Sequence, residues 1–433
     1  MSTSDDVTDP VPFVSPARAR AIFLVFAALF CASGLVYSLT LGETLRYPDE
    51  RDYIALARHL AAFDGYTFDG QTPTAHRPPG YPVLLAPVVA LIDSVHAVRV
   101  ANFAMLALAA YLLAGLVHER RARVGRWNRA SLVLALTFAY PVLYYTSGTL
   151  FAQISIALAL TLAIVLLQRR GNSAALAALI GALIAFTAQI SPTTLVLLPV
   201  ALLFAIASRR WSGSRVLVMG LAAALVFGGW FTRNVIVMDE PILFSKNLAE
   251  NLDNAVLVLD PLEPGEERPP AAAIDYALER LEQTIGSPLA YLERFGDFFA
   301  SSNEMNVAEE RSRTRDLIMF VTYYGLLVAV LVRLALARRL PPSPAEWLVI
   351  ALYIGTALFH ALLIPRIRYR LPLDFLLLLP VANLVLFAFS SWRERHRSTA
   401  HVRSGAGAAP RRTARRVGRR RTPRSSRRNS TGA

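Results

Sequence analysis

Cysteine and lysine are almost missing: Cys31 and Lys246 stand alone in 433 residues. A lone thiol excludes an internal disulfide and any cysteine-built metal site. Charged residues are also scarce, at 18%, whereas a soluble domain needs a charged surface. No P-loop, Rossmann glycine pattern or HExxH is present, and the seven histidines show no metal-ligand spacing. The familiar nucleotide and zinc chemistries of soluble enzymes are thereby set aside. Arginine replaces lysine throughout, which reads as genomic base composition rather than function.

What charge there is sits unevenly. From Arg393 to Ala433 there are 14 arginines and one glutamate, a net +13 of the chain's +14, so residues 1–392 are close to neutral. The tail has little to bury and is expected to be disordered. It reads as a basic cytoplasmic tail that enforces topology and touches anionic lipid. With no interleaved aromatics, it offers no support for nucleic-acid binding. Residues 1–19 form a short polar N-terminal stretch, and the first apolar run reads as an uncleaved anchor.

Hydrophobic residues make up 54% of the chain, and they gather in runs long enough to span a bilayer. Ten spans are expected: 20–42, 97–117, 130–147, 150–168, 174–190, 192–208, 214–236, 315–337, 345–364 and 371–391. The stretch 81–92 is apolar but too short to cross unaided. With the N-terminus inside, the arginine-rich loops 118–129, 168–172, 208–215 and 337–340 and the tail all fall inside, as the positive-inside rule requires. An eleventh crossing at 81–92 would put three of these loops outside. The expected architecture is an all-α polytopic domain over 20–392, with both termini in the cytoplasm. Two long segments then lie outside, 43–80 and about 237–314. The second carries two expected amphipathic helices, near 271–284 and 288–300.

Loop 43–80 holds the candidate chemistry. Pro48 and Asp49 open a short interfacial helix whose apolar face is Tyr53, Ile54, Leu56, Ala57 and Leu60. Asp49 and Glu50 near that helix start suit either simple capping or a general base. The loop closes on His76-Arg77-Pro78-Pro79-Gly80-Tyr81-Pro82, where the prolines exclude helix. Further arginines break the positive-inside pattern at outer ends: Arg233, beside Asn234, and Arg366, Arg368 and Arg370 around Tyr369. Arginine suits bidentate phosphate binding, although snorkelling to outer-leaflet head groups explains the same placement.

Taken together, these residues resemble the polyprenyl-phosphate-sugar-dependent glycosyltransferases of the GT-C fold, in the bacterial branch of protein O-mannosyltransferases and aminoarabinose lipid A transferases. Four features carry the likeness, in order: Asp49-Glu50 with Tyr53, Ala57 and Leu60; RPPGYPVLL (77–85); GWFTRN (229–234) followed by SKNLAENLDN (245–254); and RYRLPL (368–373). The resemblance implies a multi-pass protein of the bacterial inner membrane. It would move a sugar, with inversion, from a polyprenyl phosphate to an extracytoplasmic glycan, glycolipid or protein. Asp49 would be the base and Glu50 its orienting partner. Arg77, Arg233, Arg368 and Arg370 would hold the leaving phosphate, and His76, Tyr81, Asn234 and Tyr369 would contact substrate. No cofactor is required. The residue types at Asp49, Glu50 and His76 allow a divalent ion, yet their spacing does not support one. The chain departs from many relatives in two places, with Gln153 where an acid is common and Ile190-Ser191-Pro192 where Thr-Arg-Pro is common. A transporter or flippase of lipid-linked substrates, and a non-catalytic lipid-carrier-binding relative, are the competing readings. Spans nearly free of charge disfavour transport.

Overall fold

The computed structural model describes residues 15–118, 124–169, 173–246, 282, 287–301, 312–362 and 367–405. The first expected amphipathic helix, near 271–284, and Arg366 fall outside them. The described residues contain no strand and form fifteen α-helices. These are α1 (Pro16–Leu41), α2 (Pro48–Ala61), α3 (Gly80–Leu91), α4 (Val95–Ala114), α5 (Arg126–Phe138), α6 (Pro141–Ser147), α7 (Gln153–Leu167), α8 (Ala174–Ile190), α9 (Leu197–Ala207) and α10 (Gly213–Met238). After them come α11 (Pro288–Asp297), α12 (Arg313–Ala335), α13 (Pro344–Leu362), α14 (Ile367–Leu376) and α15 (Leu378–Gly405). A 3₁₀ turn, Pro192–Val196, precedes α9. The chain divides into two units, Met1–Phe387 and Ala388–Ala433, and the candidate site belongs to the first.

Six stretches of helix are long and apolar enough to cross a membrane, or seven if the bent pair α5–α6 counts as one. Three more expected spans appear as the shorter apolar helices α7, α8 and Pro192–Ala207, so length alone does not reproduce ten crossings. The expected span 130–147 is broken by an 84° bend. Pro141 starts α6, and the residue before a proline is driven out of helical geometry; Tyr140 accordingly sits at φ −107°, ψ 84°. The last helix runs to Gly405, so 393–405, expected to be disordered, is helical. Its alanine, arginine and glutamate residues are good helix formers that simply extend an apolar helix.

Burial follows membrane logic. In α1 only Ala19, Phe23, Phe30, Gly34 and Ser38 are buried, a stripe at helical spacing, while Leu29, Val36 and Leu39 are exposed. Such a helix, apolar all round, finds its solvent in lipid. Small residues bring the helices close. A Cβ at Gly34 would lie 2.4 Å from the Phe103 ring on α4, and one at Gly181 would lie 2.0 Å from the Met219 carbonyl oxygen on α10.

Two buried arginines at helix ends each fix a turn. Arg99 of α4 donates to the Thr44 carbonyl at 3.0 Å and so holds the start of loop 43–80. Arg333 of α12 donates to Glu346 at 3.0 Å and to the Leu340 carbonyl, clamping the turn before α13. The second amphipathic helix is present as α11, and it rests on α13 through Tyr291, which donates to the Leu358 carbonyl at 3.0 Å.

Candidate functional site

The site begins with α2. Asp49, Asp52 and Tyr53 lie at i, i+3 and i+4, so they share one helical face. The neighbouring Glu50 points elsewhere. It is 2% exposed and accepts from the Arg46 and Tyr47 amides at 2.7 and 3.1 Å and from the Leu150 amide at 2.9 Å. Glu50 therefore caps α2 and fastens it to the α6–α7 junction. Expected as the partner of Asp49, it is instead a structural bolt, because adjacent helical residues face about 100° apart.

Arginines from opposite ends of the chain meet at Asp49. Arg77 donates to Asp49 Oδ1 at 2.7 Å and to Asp52 Oδ2 at 2.8 Å. Arg368 donates to Asp49 Oδ2 at 3.0 Å and to the Tyr369 hydroxyl at 3.3 Å. Burial works against the charge on Arg77, but Asp49 and Asp52 outweigh it and hold the guanidinium above its ordinary value. Burial, aided by the charge of Asp49, pushes the Tyr53 hydroxyl up to about 12. Asp52, missed in the sequence, was signalled by its i+3 spacing from Asp49.

A cleft opens beside this cluster, lined by Asp49, Tyr53, Arg77, Gln153, Ser191, Thr193, Ser245, Arg368 and Tyr369 among others. Gly80 shapes it: a Cβ there would lie 2.6 Å from the Ile190 amide nitrogen. Only glycine lets the RPPG corner press on the end of α8, which brings Arg77 and Ser191 to one cavity. The two positions where the sequence departs from its apparent relatives, Gln153 and Ser191, are thus cleft walls.

The remaining expected residues do not line the cleft. Arg233 donates to the Thr74 carbonyl at 2.8 Å and the Tyr66 carbonyl at 3.3 Å; it pins loop 66–74. Asn234 is buried and donates to the Ile242 carbonyl at 2.8 Å. Tyr66 in turn donates to the Arg77 carbonyl at 2.9 Å, so the GWFTRN segment supports Arg77 from behind. Tyr81 is buried and donates to Asn102 at 3.3 Å. His76 Nε2 lies 3.8 Å from Asp52 Oδ2, next to the cluster. Arg370 faces away from Arg368, since two helical residues apart is about 200°. It pairs with buried Asp374 at 3.2 Å, donates to the Ala300 carbonyl at 2.9 Å and lies 3.6 Å over the Tyr323 ring. Among the described residues no three His, Cys, Asp or Glu side chains converge as a metal site; Glu50 faces away from Asp49 and His76.

Scans against protein-family models and against curated proteins find no match. Among solved structures, the chain is similar to ArnT from Cupriavidus metallidurans, in a crystal structure bound to undecaprenyl phosphate (TM-score 0.42, 13% identity) and in one of its apo state (TM-score 0.37, 14% identity). Each alignment covers 84% of this chain and 77% of that one.

Proposed function

We propose that the chain is an inverting glycosyltransferase of the GT-C type. It moves a sugar from a polyprenyl phosphate to a glycan, glycolipid or protein acceptor on the outer face of a bacterial inner membrane, with both chain termini in the cytoplasm. One observation carries the reading: Asp49, a carboxylate able to act as base, sits between Arg77 and Arg368, at 2.7 and 3.0 Å, in a cleft of a helical bundle with membrane-length helices. The ordered motifs of the sequence point to the same chemistry.

The steps follow from the groups present. A sugar phosphodiester leaves as a phosphate monoester, gaining a negative charge, and Arg77 and Arg368 are preorganised cations for it. As the phosphate takes up the two guanidiniums, the Asp49 oxygens are freed. Asp49 then accepts the acceptor hydroxyl's proton while that oxygen attacks the anomeric carbon, and the carbon–oxygen bond to phosphate breaks. Asp52 keeps Arg77 aimed when Asp49 lets go. Placing both substrates in one cleft supplies much of the remaining rate. Asp49→Asn in purified protein with labelled polyprenyl-phosphate sugars is expected to cut transfer about 10²- to 10⁴-fold; undiminished transfer would remove Asp49 as base. A non-catalytic carrier-binding protein is the second reading, favoured by both Asp49 oxygens being engaged; it is supported if the wild-type chain binds the lipid but transfers no sugar.

A further inference from the structure

A second space adjoins the cleft and shares Thr193 and Tyr369 with it. This side pocket has room for one water-sized group, such as a single hydroxyl; it lies among α7, α9, α13 and α14 and is lined by Ile156, Leu160, Thr356, His360 and Leu373 among others. Three buried polar atoms around the joined spaces have no hydrogen-bond partner among the described residues: Gln153 Oε1, Thr356 Oγ1 and His360 Nε2. Their residues are 8%, 4% and 1% exposed. Buried polar atoms are ordinarily partnered, so one on the cleft wall, Gln153, and two on the adjoining side pocket, Thr356 and His360, mark what these spaces are built to receive.

Their chemistry specifies the guest. His360 Nδ1 lies 2.9 Å from the Thr356 carbonyl oxygen. A carbonyl only accepts, so Nδ1 carries the hydrogen, and Nε2 of the neutral ring is an acceptor. Gln153 Oε1 is an acceptor too, and Thr356 Oγ1 both donates and accepts. Such a wall matches hydroxyl groups. Asp49 is the one carboxylate lining either space among the described residues, and the proposed reaction keeps it for the acceptor hydroxyl's proton. A sugar ammonium would enter without a counter-ion beside Arg77 and Arg368, whereas a sugar carboxylate would face acceptors with its lone pairs.

We infer that the transferred sugar is neutral, and that Gln153, Thr356 and His360 form its hydroxyl-binding wall. This rests on the polyprenyl-phosphate-sugar reading above. The test measures binding of the full chain to undecaprenyl phosphate alone and to its glucosyl, mannosyl, galactosyl, glucosaminyl and glucuronyl esters. One neutral ester is expected to bind at least about tenfold tighter than the sugar-free lipid, and the glucosaminyl and glucuronyl esters to gain less. Gln153→Leu and His360→Phe should each shrink that advantage about tenfold. Gln153→Glu should move preference toward the glucosaminyl ester, an outcome that a misfolded protein cannot give. The inference is overturned if a charged ester binds tightest, if the neutral advantage survives both substitutions, or if only the sugar-free lipid binds. Failure to bind any of these lipids would instead remove the functional reading beneath it.

Discussion

Under the proposed function Asp49 would have two competing jobs, and Arg77 would decide between them. Held by both arginines it is an ion-pair partner; released, it would serve as the base. Lysine cannot replace Arg77 without loss, because a point cation cannot address Asp49 and Asp52 at once. Arg77→Lys is expected to raise the donor KM and lower kcat, measured by steady-state transfer. The residue scale also exposes what was hidden in the sequence. Asp49, Arg77 and Arg368 stood out at a helix start, a proline-rich turn and a break in the positive-inside pattern, and the structure brings the three together. Glu50 was misread because a capping carboxylate and a catalytic one look alike in a string; only the Leu150 amide, 100 positions away, separates them. A further carboxylate, Asp69, orders the loop tip. It accepts from the Thr72 amide at 2.7 Å, the Thr67 hydroxyl at 2.7 Å and the Gln71 amide at 2.9 Å, and these bonds hold it well below the usual carboxylate range. Its value is depressed on folding, so its contribution is full above the ordinary aspartate value of about 4 and fades as pH falls through the lowered one. Amide protection factors at Gln71 and Thr72, corrected for intrinsic exchange, are expected to be high at pH 5 and to fall in stronger acid, and Asp69→Asn should lower them at both.

Elements set the distances that residues use. Helix α2 is legible from Pro48, its two early acids and its apolar spacing, and it forms where expected. The α5–α6 bend was equally written in Pro141, yet an unbroken apolar run hides a kink from any reading by hydropathy alone. At this scale Gly80→Ala is the sharpest probe. Its Cβ would meet backbone, which cannot rotate away, so a destabilisation of about 1–3 kcal/mol is expected, with loss of transfer exceeding loss of fold because Arg77 and Ser191 move apart. Thermal unfolding and transfer rate, measured side by side, check this. Glu50→Gln probes the other anchor. A glutamine has one acceptor oxygen for three amides, and a cost of about 1–3 kcal/mol is expected, read as a lowered Tm. Wild-type Tm and activity in that variant would mean that Glu50 anchors nothing.

On the whole-molecule scale, arginine-rich turns and the Asp49 cluster lie at opposite ends of the helices that connect them. Helix α1 begins after the N-terminal stretch and ends at loop 43–80, and α8 begins near the 168–172 turn and ends at Ser191. Labelling single cysteines from outside, after Cys31→Ser, should modify Thr72→Cys or Ser245→Cys, and spare Ser208→Cys and Ser212→Cys; the reverse pattern would invert the topology. The number of crossings was only partly legible, because α7, α8 and α9 are shorter than a bilayer-spanning helix of about 20 residues and are set by their neighbours rather than by their own hydropathy. The bridge from Arg368 to Asp49 closes over 319 residues of chain, and this has a consequence in time. At roughly 5–20 residues per second of synthesis, the loop with Asp49 emerges roughly 15–60 s before its last partner. Until the final helices insert, a half-made chain has the acid and one cation but lacks the other. On the proposed function, nascent protein in the membrane would therefore be chemically silent, and activity would switch on only when synthesis is nearly finished.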